Sequence, residues 1–319
     1  MADPKVAVLV AAWNAEATLA RAVESVLAQN VPVEVIIVDD ASPDGTFAEA
    51  RRLAEADVRV TALRQEQNGG PSAARNRALT ASSTPWVTVL DSDDFMDPGR
   101  LERLLAVADA EGADFVADDL YKVDEADPTG PRSRMWSDDD FGMILVTPSM
   151  FVEGNLSSRH GGRREMGFLK PLMSRAFLDK HGIGYDAGIR LGEDFVIYTA
   201  ALIAGAKFVL VDPAGYVAVV RPGSLSGSHP TEAHAHLIAA DTELLGMDGI
   251  DEATREALEA HRLEQQKKWA WRVVLDAKKE RNLGKALGAF IAPLPVGASL
   301  IGKLWREVIA RLPGSKNAA

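Results

Sequence analysis

Residues 86–94, Trp86-Val87-Thr88-Val89-Leu90-Asp91-Ser92-Asp93-Asp94, run apolar for five positions and then turn acidic. A buried parallel strand that delivers carboxylates to the carboxyl edge of its sheet reads in this way. The next five residues, Phe95-Met96-Asp97-Pro98-Gly99, carry turn chemistry, with Pro98 placed to open a helix. Three carboxylates in four positions repel one another and are costly to bury unpaired, so a cation is expected among them. Hard oxygen donors one residue apart suit magnesium or manganese, which bind through one or two carboxylates together with a substrate's phosphates. The plain alternative is a solvated acidic strand end that caps the following helix.

The same pattern recurs on either side. Residues 6–11 form an apolar run with Trp13-Asn14 at its end, and Leu19, Val23, Val26 and Leu27 follow at helical spacing, with Asn14 as the expected cap. Residues 33–38 stop at Asp39-Asp40, a turn over 41–46 leads into a helix ending near Ala56, and 58–63 read as a third strand. A loop over 64–70 precedes a helix over 71–81. This alternation predicts an α/β chain whose mostly parallel, Rossmann-like sheet is flanked by helices, with ligands beyond the carboxyl ends of its strands.

Further along, a helix is expected from Pro98 to Glu111 and a strand over 115–117 that ends at Asp118-Asp119. Residues 124–140 read as a mobile loop or an excursion, Gly161-Gly162-Arg163-Arg164 as another mobile loop, and 170–181 as helical. Gly192-Glu193-Asp194 opens a helix bearing Phe195, Tyr198, Leu202 and Ile203, and 207–211 and 216–220 are two more strands. Beyond Thr231 the pattern is helical throughout, which divides the chain into an α/β region, 1–230, and a helical C-terminal region, 231–319.

The chain has 319 residues, 47% of them hydrophobic and 25% charged, enough for a substantial core. A net charge of −11 argues against a nucleic-acid partner held through its phosphates. The absence of cysteine removes disulfides, thiolate nucleophiles and zinc–thiolate sites. With no signal-peptide layout at the N-terminus, a cytoplasmic protein is expected. Between Lys285 and Lys303 lie 17 uncharged residues interrupted by Pro293 and Pro295, which suits a broken helix pair lying on a membrane surface or on the protein rather than a membrane span.

Three acidic groups stand at element boundaries: Asp39-Asp40, Asp91 to Asp94, and Glu193-Asp194. A doubly wound sheet would bring all three to one rim. Asn68-Gly69-Gly70-Pro71 places glycines before a helix, and Arg75 follows on its second turn, a pairing able to meet a diphosphate through N–H groups and a charged fork. The loop beyond Arg221 is polar and flexible, and could bring Arg221 or His229 onto phosphate or metal. The other histidines show no ligand spacing, and His234 and His236 are expected at the surface.

These elements, in this order, resemble the family 2 inverting glycosyltransferases of the GT-A fold, especially bacterial exopolysaccharide enzymes of the succinoglycan type. The resemblance spans about 6–228 and rests on Trp13-Asn14-Ala15, Val38-Asp39-Asp40, Asn68-Gly69-Gly70-Pro71 with Ala74-Arg75-Asn76, Asp91-Ser92-Asp93, and Gly192-Glu193-Asp194. It implies that Asp39 holds a uridine-type base in a pocket lined by Ala11, Ala12, Trp13 and Asn14, while Asp91 and Ser92 face the donor's ribose or sugar. It also implies that Gly70 and Arg75 orient the donor, that Asp93 ligates a divalent metal (manganese or magnesium), and that Asp194 is the general base with Glu193 beside it at the acceptor. The Gln-x-x-Arg-Trp motif of processive synthases is missing; Gln265-Gln266-Lys267-Lys268-Trp269 is a faint echo, so addition of a single sugar is expected.

The implied reaction is transfer of one sugar, glucose from UDP-glucose by preference, to a lipid-linked saccharide. Two other readings are a sugar-nucleotide pyrophosphorylase and a non-catalytic nucleotide-sugar scaffold. A pyrophosphorylase should carry a glycine-rich basic loop after its first strand, where this chain has Ala12-Trp13-Asn14. Basic and aromatic residues mix at 264–279 and again around Trp305. Such helices suit an anionic membrane surface, and hence a peripheral location on its inner face, or alternatively a helical cap or homodimer contact.

Overall fold

The computed structural model describes residues 3–156, 165–221, 230–291 and 293–310. Its first half is a run of strand–helix units: β1 (Val6–Ala12), α1 (Leu19–Leu27), β2 (Val33–Asp39), α2 (Thr46–Ala56), β3 (Val60–Arg64), α3 (Pro71–Thr80) and β4 (Trp86–Val89). Each strand is a short, nearly continuous apolar run, so both of its faces can be covered, and helix α3 packs on β1 and β2. The chain continues through β5 (Phe95–Met96), α4 (Arg100–Glu111), β6 (Phe115–Asp118), β7 (Tyr121–Asp124), β8 (Ser133–Arg134), β9 (Met143–Val146) and α5 (Pro148–Glu153). After it come β10 (Leu172–Ser174), α6 (Arg175–His181), α7 (Glu193–Ile203), β11 (Phe208–Val211) and β12 (Tyr216–Val220).

Eight strands form one sheet in the order β3-β2-β1-β4-β10-β6-β11-β9, and four form a smaller sheet, β5-β12-β7-β8. The large sheet is parallel except for β10, which runs antiparallel between β4 and β6, and for β9 at the edge. Register sets Ala12 beside Asp39 and Asp39 beside Arg64, and Leu9 beside Val89. The carboxyl ends of β1, β2 and β4 therefore share one rim. Asp91 to Asp94 link β4 in the large sheet to β5 in the small one, so they lie where the two sheets meet.

Helices α8 (Thr231–Leu245), α9 (Glu252–Lys279), α10 (Leu283–Gly288) and α11 (Leu294–Ala310) complete the described chain. Leu237, Leu244, Ala257 and Leu258 pack into the same core as the sheet, so α8 and the start of α9 are continuous with it. Ala270, Val273, Ala289, Val296 and Leu300 form a separate small cluster. No helix among the described residues is long and apolar enough to cross a membrane.

Several expectations are corrected. Residues 172–174 are a strand, not the start of a helix: β10 fills the gap between β4 and β6, and pairing there outweighs local helical pattern. Phe95-Met96 pairs with β12 rather than forming a bare turn, and the next helix begins at Arg100 after a left-handed Gly99, two residues beyond Pro98. Thr18, not Asn14, precedes the first helical residue; Asn14 takes a positive φ of 52° and donates its N–H to Ser42 Oγ. Residues 124–140 are an excursion tied back to the body, since β8 pairs with β7 and Arg132 reaches Asp97. His234 is buried, whereas His236 is exposed as expected. Gly161-Gly162-Arg163-Arg164, His160, His229 and the loop following Arg221 lie outside the described residues.

Candidate active site

Four segments distant in sequence meet at the rim. Arg75, on the second turn of α3 and nearly inaccessible, donates from Nη1 to Glu193 Oε1 (2.7 Å) and Asp194 Oδ1 (2.9 Å), and from Nη2 to Asp91 Oδ1 (2.9 Å). Lys170 lies just before β10 and closes the other side, with Nζ 2.6 Å from Asp194 Oδ2 and 3.2 Å from Asp91 Oδ2. Two cations thus bridge the same two carboxylates through opposite oxygens. Arg75, singled out in the sequence as a donor-side cation, is one of the two, and Lys170 is a second that the sequence reading missed.

Burial pushes the Asp91 carboxyl upward, but Lys170 and Arg75 together outweigh it and hold the group below the usual carboxylate range. Burial alone would favour neutral Lys170; Asp194 and Asp91 reverse that and raise it. Arg75 is likewise held charged against desolvation by Asp194 and Glu193. Glu193 ends above its usual value because burial and the Asp194 charge exceed the pull of Arg75. The Tyr185 ring lies against the Arg75 guanidinium at 5.3 Å, and the Tyr198 hydroxyl donates to Asp194 Oδ1 at 3.4 Å.

Beyond Asp91, the acidic segment divides by environment. Asp94 is buried and accepts the Tyr216 hydroxyl (2.9 Å) and the Val219 N–H (2.8 Å); burial and the charges of Asp91 and Asp93 push it well above the carboxylate range. The Tyr216 hydroxyl also accepts the Asp91 N–H at 3.2 Å, fixing the strand end. Asp93 is partly open: Arg221 pairs with Oδ2, and Arg21 donates to its carbonyl at 2.6 Å. Ser92 is half-buried between them.

A buried pair anchors this arrangement from below. Arg100 donates to Asp118 Oδ1 (2.7 Å) and to the Lys170 carbonyl (2.6 Å), while Asp118 Oδ2 accepts the N–H groups of Ala214, Gly215 and Tyr216. One guanidinium thereby sets the backbone of Lys170 and, through Asp118, the start of β12. An acidic strand end gave no sign in the sequence of this inward role.

Along the rim, Ala12 is buried, Ala11 half-buried and Trp13 about half exposed. Asp39 is wholly buried: Oδ1 accepts the Ser42 N–H, and Oδ2 accepts no hydrogen bond among the described residues although Arg64 Nε lies 3.2 Å away. The Gly69 and Gly70 N–H groups are already engaged by the Asp40 carboxylate at 2.7 and 2.8 Å. Gly70 takes φ 86°, and a Cβ there would stand 3.0 Å from Arg190 Cγ. The glycines thus shape the entry to α3 and hold Asp40, rather than presenting free N–H groups to a diphosphate.

Among the described residues no three His, Asp or Glu side chains converge to enclose a metal. Asp93 still fits a magnesium or manganese ion in kind: it is a hard oxygen donor, a quarter exposed, and such ions take their remaining ligands from phosphates and water. Arg221 sits on that carboxylate and would have to move aside.

The glycosyl transferase family 2 model matches residues 7–174, which include β1 to β4, the Asp91–Asp94 segment and Lys170. The chain belongs to that family. It is accordingly a glycosyltransferase, and the pyrophosphorylase and scaffold readings fall away. Over its whole length it is 38% identical to the succinoglycan biosynthesis protein ExoU of Rhizobium meliloti, covering 92% of that protein. Over 91% of its length it is 34% identical to ExoO of the same organism, covering 82% of it. Among solved structures, S. aureus TarS 1–349 in complex with UDP matches with a TM-score of 0.64 at 22% identity, covering 94% of this chain and 84% of that one. The mannosyltransferase PcManGT from Pyrobaculum calidifontis, in complex with GDP-Man and Mn2+, matches at 0.57 and 17% identity, over 97% and 88%. Both structural matches establish the GT-A fold.

Proposed function

We propose that this glycosyltransferase adds one sugar from a UDP-sugar, glucose foremost, to a lipid-linked saccharide during assembly of a succinoglycan-type exopolysaccharide. The observation that carries the donor assignment is Asp39: a buried carboxylate with one oxygen lacking a hydrogen bond, at a strand end beside Ala12, suits the N–H edge of a uracil. The likeness to ExoU and ExoO supports the exopolysaccharide context.

Asp194 is the acceptor base in this reading. The acceptor hydroxyl loses its proton to an Asp194 oxygen as its own oxygen bonds the sugar's anomeric carbon from the face opposite the leaving group. The bond from that carbon to the diphosphate breaks with its electron pair, which leaves with UDP, and the configuration inverts. Glu193 lies at the acceptor side of Arg75, and Asp91 faces the sugar or ribose. A divalent ion on Asp93, magnesium or manganese, supplies charge neutralisation for the diphosphate when bound.

The C-terminal helices support a membrane-surface location for such an acceptor. Leu294, Ile301 and Trp305 of α11 are exposed on one side of the helix, as are Leu283 and Leu287 of α10. Residues 265–306 carry nine Lys and Arg against two Asp and Glu in a chain of net charge −11. An apolar face within a basic segment suits anionic lipid, whereas a two-fold dimer through the same face would set like charges together.

The test is transfer of labelled sugar from UDP-glucose, UDP-galactose or GDP-mannose to lipid-linked intermediates extracted from exopolysaccharide-producing cells. Label from a UDP-sugar in the lipid fraction is expected. Label from GDP-mannose alone, or none from any donor, would contradict the assignment.

A further inference from the structure

The two carboxylates bridged by Lys170 have different tasks in the function proposed above, Asp91 on the donor side and Asp194 on the acceptor side. Lys170 is 5% exposed, and its carbonyl is pinned by Arg100, so the position of its stem is set by the core. Its ammonium is a compact point charge with three donors, and Asp194 at 2.6 Å and Asp91 at 3.2 Å take the two carboxylate directions. Arg75 completes the ring from the other side, but it also serves Glu193. Lys170 is therefore the cation devoted to the Asp91–Asp194 pair.

We propose that Lys170 is a positioning residue for the transfer reaction: its core-held ammonium aims the Asp194 carboxylate and ties it to the donor-side carboxylate Asp91. The inference rests on Asp194 being the base. The groups facing Asp194 are Arg75 from α3, Lys170 from the segment before β10, Asp91 beyond β4, Tyr185 from the segment before α7, and Glu193 and Tyr198 on α7 itself. Burial pushes both tyrosines well above their ordinary value, so they stay neutral at working pH. Without Lys170, Asp194 would face two acidic side chains with Arg75 as the remaining cation. That loss of charge would show in the activity profile as an acid limb displaced to higher pH.

The experiment compares wild type, Lys170→Gln, Lys170→Arg and Asp194→Asn for transfer across pH 5 to 9, with calorimetry of UDP binding on each. Lys170→Gln should raise the acid limb of kcat/KM by about one pH unit, with a loss of roughly tenfold or more at low pH that narrows as pH rises. Lys170→Arg should return the limb toward its wild-type position while kcat stays reduced, because charge is restored and the point-like geometry is not. UDP affinity should stay near wild type in both. A Lys170→Gln enzyme with an unmoved limb, or with an equal loss at every pH, would overturn the role, as would loss of UDP binding. Should the Gln variant not fold, the Arg variant decides: with charge retained, a limb displaced upward contradicts the proposal. Transfer retained in Asp194→Asn would instead defeat the base assignment itself, a failure distinguishable from that of Lys170.

Discussion

Two buried polar clusters flank helix α7, and they are built from similar groups. On one side Asp194 joins Arg75, Lys170, Glu193 and Asp91 at the sheet rim. On the other, the Phe195 ring lies 4.2 Å from that of His261, which bonds Asp241 at 2.9 Å and Gln265 at 3.1 Å, while Gln265 in turn meets His234. The first cluster carries an excess of charge and opens through Asp91, whose side chain is 36% exposed. The second is closed between α8, α9 and α7, with His234, Asp241, His261 and Gln265 all under a tenth exposed. Buried ionisable groups do not by themselves mark a site; convergence of charge at an opening does. The sealed cluster secures the helix whose first turn the open one uses.

The comparison can be broken most directly at Asp194. Asp194→Asn should lower transfer about 10²- to 10⁴-fold while UDP still binds, as measured by steady-state assay and calorimetry; a near-normal rate would strip the open cluster of its special status. Next in size is the anchor beneath it. Arg100→Met leaves Asp118 buried without its cation and should cost about 3–5 kcal/mol in denaturant unfolding. Asp241→Asn, in the sealed cluster, should cost roughly 1–3 kcal/mol and leave the rate per folded molecule unchanged. A lower rate at full folding would mean that the second cluster also tunes the site.

The smallest expected effect is a slope. Burial lifts the Asp241 carboxyl above its usual value even though the bond to His261 pulls it down. Since the folded state favours the protonated form, that contribution is complete below the unfolded pKa near 4 and declines as pH rises through the folded value. Thermal melts of wild type should therefore lose stability relative to Asp241→Asn as pH climbs from about 4. A parallel pair of curves would sink this assignment.

Much of the rim was legible in the sequence because an apolar run ending in acid has few structural interpretations. Strand–helix alternation puts Asp39, Asp91 and Asp194 on one edge, and the need for a cation among Asp91, Asp93 and Asp94 follows from charge. Lys170 was not legible. The strand that follows it, β10, is three residues long and inserts antiparallel between β4 and β6, a long-range pairing that local periodicity does not encode. Asp118 reads in the sequence only as the acidic end of a short strand, yet its carboxylate turns inward to Arg100 and to three backbone N–H groups. His234 reads as a surface residue together with His236, for want of any ligand spacing, whereas α8 buries it against Gln265.

The central claim, a UDP-sugar site on the rim of the large sheet, is tested most directly by calorimetric titration with UDP, UDP-glucose, UDP-galactose and GDP-mannose, each with manganese and with chelator. Uridine nucleotides should bind with manganese, weaken with chelator, and weaken sharply in Asp39→Ala and Asp93→Ala. Absence of uridine-nucleotide binding under every condition, or binding indifferent to both substitutions, would contradict the account.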